Sequence, residues 1–300
     1  MASTVTRYRT CPLCEAMCGL ELTVTDGVVT RVRGDREHVF SRGYLCPKGA
    51  SFGQLVADPD RLRRPLVRSG GRGSRAAAGS GTGTGTGFTE VGWDEAFARV
   101  DAGLRRVIDE HGPDAVAVYL GNPNVHTMAG GLAVRPFLKA LRSRNLYTAS
   151  TVDQIPKMAA CAHLYGHPSL IPVPDLERTD YLLMLGANPA VSNGSLASAA
   201  NFPALLRAIS ARGGRVVVVD PRRTRTAELA DEHLFIRPGT DAFLLFAVVH
   251  TLFADGLVRL GRLADHVTGV AEVERLARDF TPELAEGVTR VPAEVIRRLA

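Results

Sequence analysis

A chain of 300 residues, 45% of them hydrophobic, has material for two domains and a substantial core. Its formal net charge of +5 comes from arginines scattered along the sequence rather than from a basic block interleaved with aromatics, which argues against a nucleic-acid surface. No stretch is apolar for long enough to insert in a bilayer, and the opening M-A-S-T-V-T-R-Y-R-T has neither an apolar core nor a twin-arginine pair. The expected compartment is therefore the cytoplasm, where thiols stay reduced and clustered cysteines serve metals.

The first informative stretch is T-C-P-L-C-E-A-M-C-G, which places Cys11, Cys14 and Cys18 together, answered by Cys46 in Y-L-C-P-K-G. Four of the five cysteines are used there. Zinc knuckles more often carry two C-x-x-C pairs, whereas three clustered thiolates and a distant fourth followed by proline are the usual frame for a [4Fe-4S] cube. Iron–sulfur is the reading, with zinc as the alternative. Between the two groups, L-E-L-T-V-T-D-G-V-V-T-R-V-R-G-D sets alternating β-formers on either side of Asp26-Gly27, a strong hairpin signal. That hairpin would fold back and bring Cys46 to the other three. Pro47 fixes its own φ, and Lys48 sets a cation beside the cluster unless it is a plain surface lysine. Residues 1–67 thus read as a small module stapled by its metal.

The Gly/Ser/Thr-rich tract at 68–88 has nothing to pack and reads as a linker or loop insertion. From 89 to 300 the pattern changes to helices alternating with short apolar strands. W-D-E-A-F-A-R-V-D-A-G-L-R-R-V-I-D-E-H-G has helical spacing with a glycine stop, and A-V-A-V-Y-L-G follows as a strand. Further helices are expected at about 128–142, 157–165 and 195–212. Strands are expected near Asn145–Ala149, in D-Y-L-L-M-L-G and in R-V-V-V-V-D-P. Such alternation implies parallel pairing in an open, Rossmann-like α/β sheet, with ligands at the carboxyl ends of its strands. A long helix over 242–255 and shorter ones complete the chain. It stops at Arg298-Leu299-Ala300 in what reads as mid-helix, so truncation at the C-terminus is expected.

C-P-L-C-E-A-M-C-G, the hairpin, R-G-Y-L-C-P-K-G, D-P-D-R-L-R-R-P-L, W-D-E-A-F, M-L-G-A-N-P-A-V-S, V-V-V-V-D-P-R-R-T-R-T-A and R-P-G-T-D-A-F-L-L occur in this order. In that combination the chain resembles the N-terminal portion of the molybdopterin oxidoreductases, the family of formate dehydrogenases, nitrate reductases and dimethyl sulfoxide reductases. The resemblance implies a molybdenum or tungsten centre on bis-molybdopterin guanine dinucleotide, electron transfer between it and a [4Fe-4S] cluster, a small-molecule substrate, and a redox partner protein or subunit. It also implies that Lys48 lies between cluster and pterin. Family members carry a further pterin-binding domain near their C-termini.

Read physically, Gly186, Asn188 and Pro189 follow a strand where a turn and an amide can meet a nucleotide. Asp220, at the end of the next strand, can accept from ribose or guanine, while Arg222 and Arg223 can donate to phosphate. An ordinary strand-end turn is the alternative for each. Gly239 makes a turn, and Asp241 either caps the following helix or contacts guanine.

The departure from the family lies in S-T-V-D-Q-I-P-K-M-A-A-C-A-H-L-Y-G. Ala159 stands where formate dehydrogenases have selenocysteine. Cys161, two residues on and turned by about 100° per residue, is a metal ligand under a shifted alignment or an inert buried thiol. His163 reads as a surface or packed residue. With Ala159 at the site, the metal would have no protein ligand. Two other readings stay open: an electron-transfer subunit resembling the large iron–sulfur subunit of respiratory complex I, and a zinc-stabilised binding module.

Overall fold

In the computed structural model, which describes residues 3–68, 87–121, 124 and 127–300, the chain divides into two units. The first comprises residues up to Val173 together with Ser195–Ala200; the second comprises Pro174–Gly194 and Asn201–Ala300. Among the described residues no helix is long and apolar enough to cross a membrane.

The first unit starts with an antiparallel sheet in the order β1 (Thr4–Thr10), β2 (Gly19–Thr25), β3 (Val28–Gly34). The β2–β3 turn is the expected one: Asp26 (φ 50°) and Gly27 (φ 81°) are both left-handed, as a tight hairpin of this twist demands. Strand β1 is an addition to the sequence reading. Its residues T-V-T-R-Y-R-T are alternating β-formers, and they pair with β2 from Thr4↔Thr25 to Thr10↔Gly19. The loop closing this extra hairpin is the cysteine segment itself.

Two short helices follow, α1 (Pro47–Ala50) and α2 (Phe52–Ala57). Strand β4 (Leu66–Arg68) then pairs antiparallel with β5 (Phe88–Glu90). The Gly/Ser/Thr tract expected at 68–88 falls, apart from its ends, outside the described residues. Helix α3 (Trp93–His111) ends at Gly112, whose φ of 82° suits a glycine stop. Then come β6 (Val118–Leu120), α4 (Met128–Leu141) and β7 (Leu146–Thr148), with β6 and β7 parallel, followed by α5 (Ser150–Asp153) and α6 (Ile155–Tyr165).

The second unit is built on a parallel sheet of β8 (Tyr181–Leu185), β9 (Arg215–Val219) and β10 (Glu232–Leu234), with β9 in the middle. Val216, Val217, Val218 and Val219 are all fully buried, because a central strand covered on both faces has no side for polar residues. Helix α7 (Pro189–Ser192) opens directly after β8. The single helix expected at 195–212 is instead a short 3-10 turn at Ser195–Ala197 and a helix α8 over Phe202–Ala211. Asn193, Gly194, Ser195 and Asn201 all have positive φ, which breaks the helical path. Asn201 then caps α8 by accepting from the Ala204 N–H at 3.3 Å, and Pro203 sits in the first turn.

Helices α9 (Asp241–Ala254), α10 (Val270–Ala277), α11 (Pro282–Thr289) and α12 (Ala293–Leu299) complete the unit. Its core joins Val219 and Ile236 from the sheet side to Leu244, Ala247, Ala285, Val291 and Ile296.

Candidate functional site

Cys11 and Cys18 end the β1–β2 hairpin loop, which the Cys11 N–H closes by donating to the Cys18 carbonyl at 2.8 Å. Within it Met17 takes a left-handed φ of 48°, and its N–H reaches the Cys14 carbonyl at 3.3 Å. Cys11 and Cys18 are buried with Ala16 and Leu20, with Leu13, Cys14, Leu45 and Phe52 packed against them. Cys14 is the most open of the quartet.

Cys46 arrives from the other side. After β3 the chain is held by the Asp35 N–H to the Gly19 carbonyl (3.0 Å) and the Gly43 N–H to the Asp35 carbonyl (2.8 Å). The buried Ser41 hydroxyl accepts from the Gly19 N–H at 3.0 Å, while the Ser41 N–H donates to His38 Nδ1 at 3.1 Å. Two glycines make this return possible. A side chain on Gly34 would overlap the Gly43 carbonyl, and one on Gly19 would meet the His38 ring at 2.5 Å. Cys46 then sits at the head of α1, and Lys48 lies exposed in that helix.

Alanine at Gly34 is therefore expected to cost about 1–3 kcal/mol, the range for forcing atoms into a packed site. It should lower the thermal midpoint of the first unit and its iron content together. An unchanged midpoint would mean that the Gly34 and Gly43 backbones separate without cost.

Electrostatics record how closely the thiols gather. Burial pushes up the Cys18 thiol, and Cys11, Cys14 and Cys46 push it further, to about 11. Burial also raises Cys11, as do Cys14 and Cys46, while the Lys48 ammonium draws it back down. Four such sulfurs are thiolates together only around a cationic group. Clustered thiolates of this kind serve a zinc ion or an iron–sulfur cluster, and a cluster gives each thiolate its own iron.

In the second unit the parallel register brings the β8 and β9 ends to one edge. Gly186, left-handed at φ 62°, donates its N–H to the Val219 carbonyl at 2.9 Å. Asn188 precedes α7 and Pro189 is its first residue. Asp220 is 7% exposed and accepts the Arg222 N–H on Oδ1 at 2.8 Å, leaving the Arg222 and Arg223 side chains exposed. Gly239 has φ 79° and makes the expected turn. The capping expected of Asp241 is not seen. Thr240 holds the N-cap position of α9 without a side-chain cap bond, because its hydroxyl donates to the Arg237 carbonyl at 2.6 Å; Asp241 is an acidic first-turn residue facing the helix dipole.

On α6, Ala159 is exposed and carries no donor atom, Cys161 is buried at 4% exposure, and His163 is exposed.

Two site residues were not legible beforehand. Thr226, fully buried, bonds to Asn188, and His233 Nε2 meets the Asp220 carbonyl at 3.0 Å. The only signal for Thr226 was the run R-T-R-T-A just past Asp220.

A family model for the molybdopterin oxidoreductase Fe4S4 domain matches residues 6–58, and one for molybdopterin oxidoreductase matches residues 61–259. The chain belongs to the molybdopterin oxidoreductase family. Membership implies a [4Fe-4S] cluster and a molybdenum or tungsten centre on bis-molybdopterin guanine dinucleotide. The zinc-module reading falls with it.

Curated relatives of this molybdopterin oxidoreductase chain include a nitrate reductase of Symbiobacterium thermophilum, 28% identical over 98% of the chain and 38% of the relative. Formate dehydrogenase H of Escherichia coli is 26% identical over 97% of the chain and 38% of its own length. Among solved structures, acetylene hydratase from Pelobacter acetylenicus shares the fold with a TM-score of 0.77 at 24% identity, covering 98% of this chain and 38% of that one. The chain thus spans 38% of the length of each of these proteins.

Proposed function

We propose that this chain is the electron-relaying, nucleotide-holding part of a molybdopterin-dependent oxidoreductase that acts on a small-molecule substrate in the cytoplasm and exchanges electrons with a redox partner protein or subunit. The observation that carries the reading is the convergence of Cys11, Cys14 and Cys18, in one hairpin loop, with Cys46 at the head of α1. These four residues hold the cluster. When bound, the molybdenum or tungsten centre supplies the two-electron change at the substrate and the cluster carries electrons one at a time.

The protein's own groups do the rest. Burial of Cys11, Cys18 and Cys46 keeps water from the sulfurs, and the Lys48 ammonium, which draws the Cys11 thiol down, favours the more negative reduced states and would relay electrons between cluster and pterin. Gly186, Asn188, Pro189 and Asp220 would hold the nucleoside end of one pterin, Arg222 and Arg223 would donate to its phosphates, and Gly239 with Asp241 would complete the edge. Ala159 has no donor atom, and the buried Cys161 is read as an inert thiol, which leaves the metal without a ligand from either position. Substitution of Cys161 by serine should leave metal content intact.

Anaerobic purification of the protein, with iron, zinc, molybdenum and tungsten measured beside an optical spectrum, tests the proposal. About four irons with a pterin metal is the expected result. Four irons without a pterin metal would replace it with the electron-transfer subunit that resembles the complex I protein, and zinc without iron would overturn both.

A further inference from the structure

Thr226 is fully buried, with its Oγ1 2.7 Å from Asn188 Oδ1 and 3.1 Å from the Ala190 nitrogen. The Ala190 N–H can only donate, so Oγ1 accepts there and the hydroxyl proton is left for Asn188. Were the Asn188 amide turned over, two donors would converge on Oγ1 and the hydroxyl proton would be buried without an acceptor. The amide oxygen is thereby held inward and the amide NH2 outward.

We propose that Thr226 is a positioning residue that fixes the Asn188 amide, so that Asn188 offers a ligand its two amide N–H donors and withholds its amide oxygen. On the same edge Asp220 is committed in the opposite sense. Its backbone N–H donates to the Leu234 carbonyl at 3.1 Å, its carbonyl accepts from His233 Nε2 at 3.0 Å, and Oδ1 accepts from the Arg222 N–H at 2.8 Å. The second carboxylate oxygen has no partner among the described residues and remains to accept. Donors after β8 and an acceptor after β9 select a ligand that presents a phosphate or carbonyl oxygen to Asn188 and an N–H or O–H to Asp220. The inference rests on the strand-end edge being a nucleotide site, and a guanosine phosphate meets both conditions.

The test is the affinity for guanosine diphosphate, measured by titration calorimetry on the wild type, Thr226→Val, Thr226→Ser, Asn188→Ala and the Asn188→Ala/Thr226→Val double variant. Thr226→Val should bind about tenfold more weakly, the worth of one oriented hydrogen bond, and Thr226→Ser should recover wild-type affinity. In the Asn188→Ala background, Thr226→Val should lower the melting midpoint but leave affinity unchanged. Equal weakening in both backgrounds, or none in either, overturns the positioning role. A wild type that binds no guanosine diphosphate overturns the nucleotide reading itself, an outcome visible before any variant is compared. If Thr226→Val does not fold, Thr226→Ala carries the same comparison.

Discussion

Replacing Cys46 by serine is expected to strip the chain of most of its iron and to loosen the first unit while leaving the second intact. The three other cysteines share a single loop tied by the Cys11 N–H to the Cys18 carbonyl, and that loop stands whether or not Cys46 is present. Cys46 alone comes from the return segment, so it is the link between two pieces of backbone otherwise joined by a few hydrogen bonds and the packing of Leu45 and Phe52. A module with so small an apolar core takes much of its stability from the bound metal. Serine keeps the volume but offers an alcohol that stays protonated where the thiol ionises, and its oxygen reaches less far than sulfur. Iron should fall from about four per chain to less than about one, with loss of the visible absorption and a lower first thermal transition. Retention of four irons in the variant would remove Cys46 from the ligand set.

How much of this was legible follows from where each determinant lies. The β2–β3 hairpin was, because Asp26-Gly27 is a local signal, and so was β9, because four successive valines can be satisfied only by a strand covered on both faces. Strand β1 was not: its residues are mostly exposed, so no apolar face marks the segment. The break at 193–201 was missed because helical spacing in 202–211 masks the positive φ values of Asn193, Gly194, Ser195 and Asn201. Gly34 and Gly43 matter because their backbones touch, a fact of tertiary return that no window of sequence contains. The same holds for Thr226, 38 residues from Asn188, and for His233, 13 from Asp220; parallel pairing brings each to its partner. Strand-end motifs carry the groups proposed to face a ligand, whereas the groups that hold them from behind lie far away in sequence.

Alanine in place of Leu244 should be a severe truncation in the second unit, costing about 2–5 kcal/mol, the range for deleting a buried leucine side chain. Leu244 is 1% exposed on α9 and packs with Val219, Ile236, Ala247, Ala285, Val291 and Ile296. Ala247 and Ala285 are too short to swing into the space, and Val219 is fixed by the central strand, so the void stays open. Against a typical stability of about 5–15 kcal/mol, such a loss is a large fraction of the total. Denaturant titration followed by circular dichroism measures it, and a change below about 1 kcal/mol would show that the helices collapse onto the gap. Iron content should not change, since the cluster ligands all lie in the first unit. Affinity for guanosine diphosphate should fall, because Val219 lines the void and is followed directly by Asp220: a slack floor beneath β9 lets the acceptor at its end wander from the donors that Thr226 holds in place on Asn188.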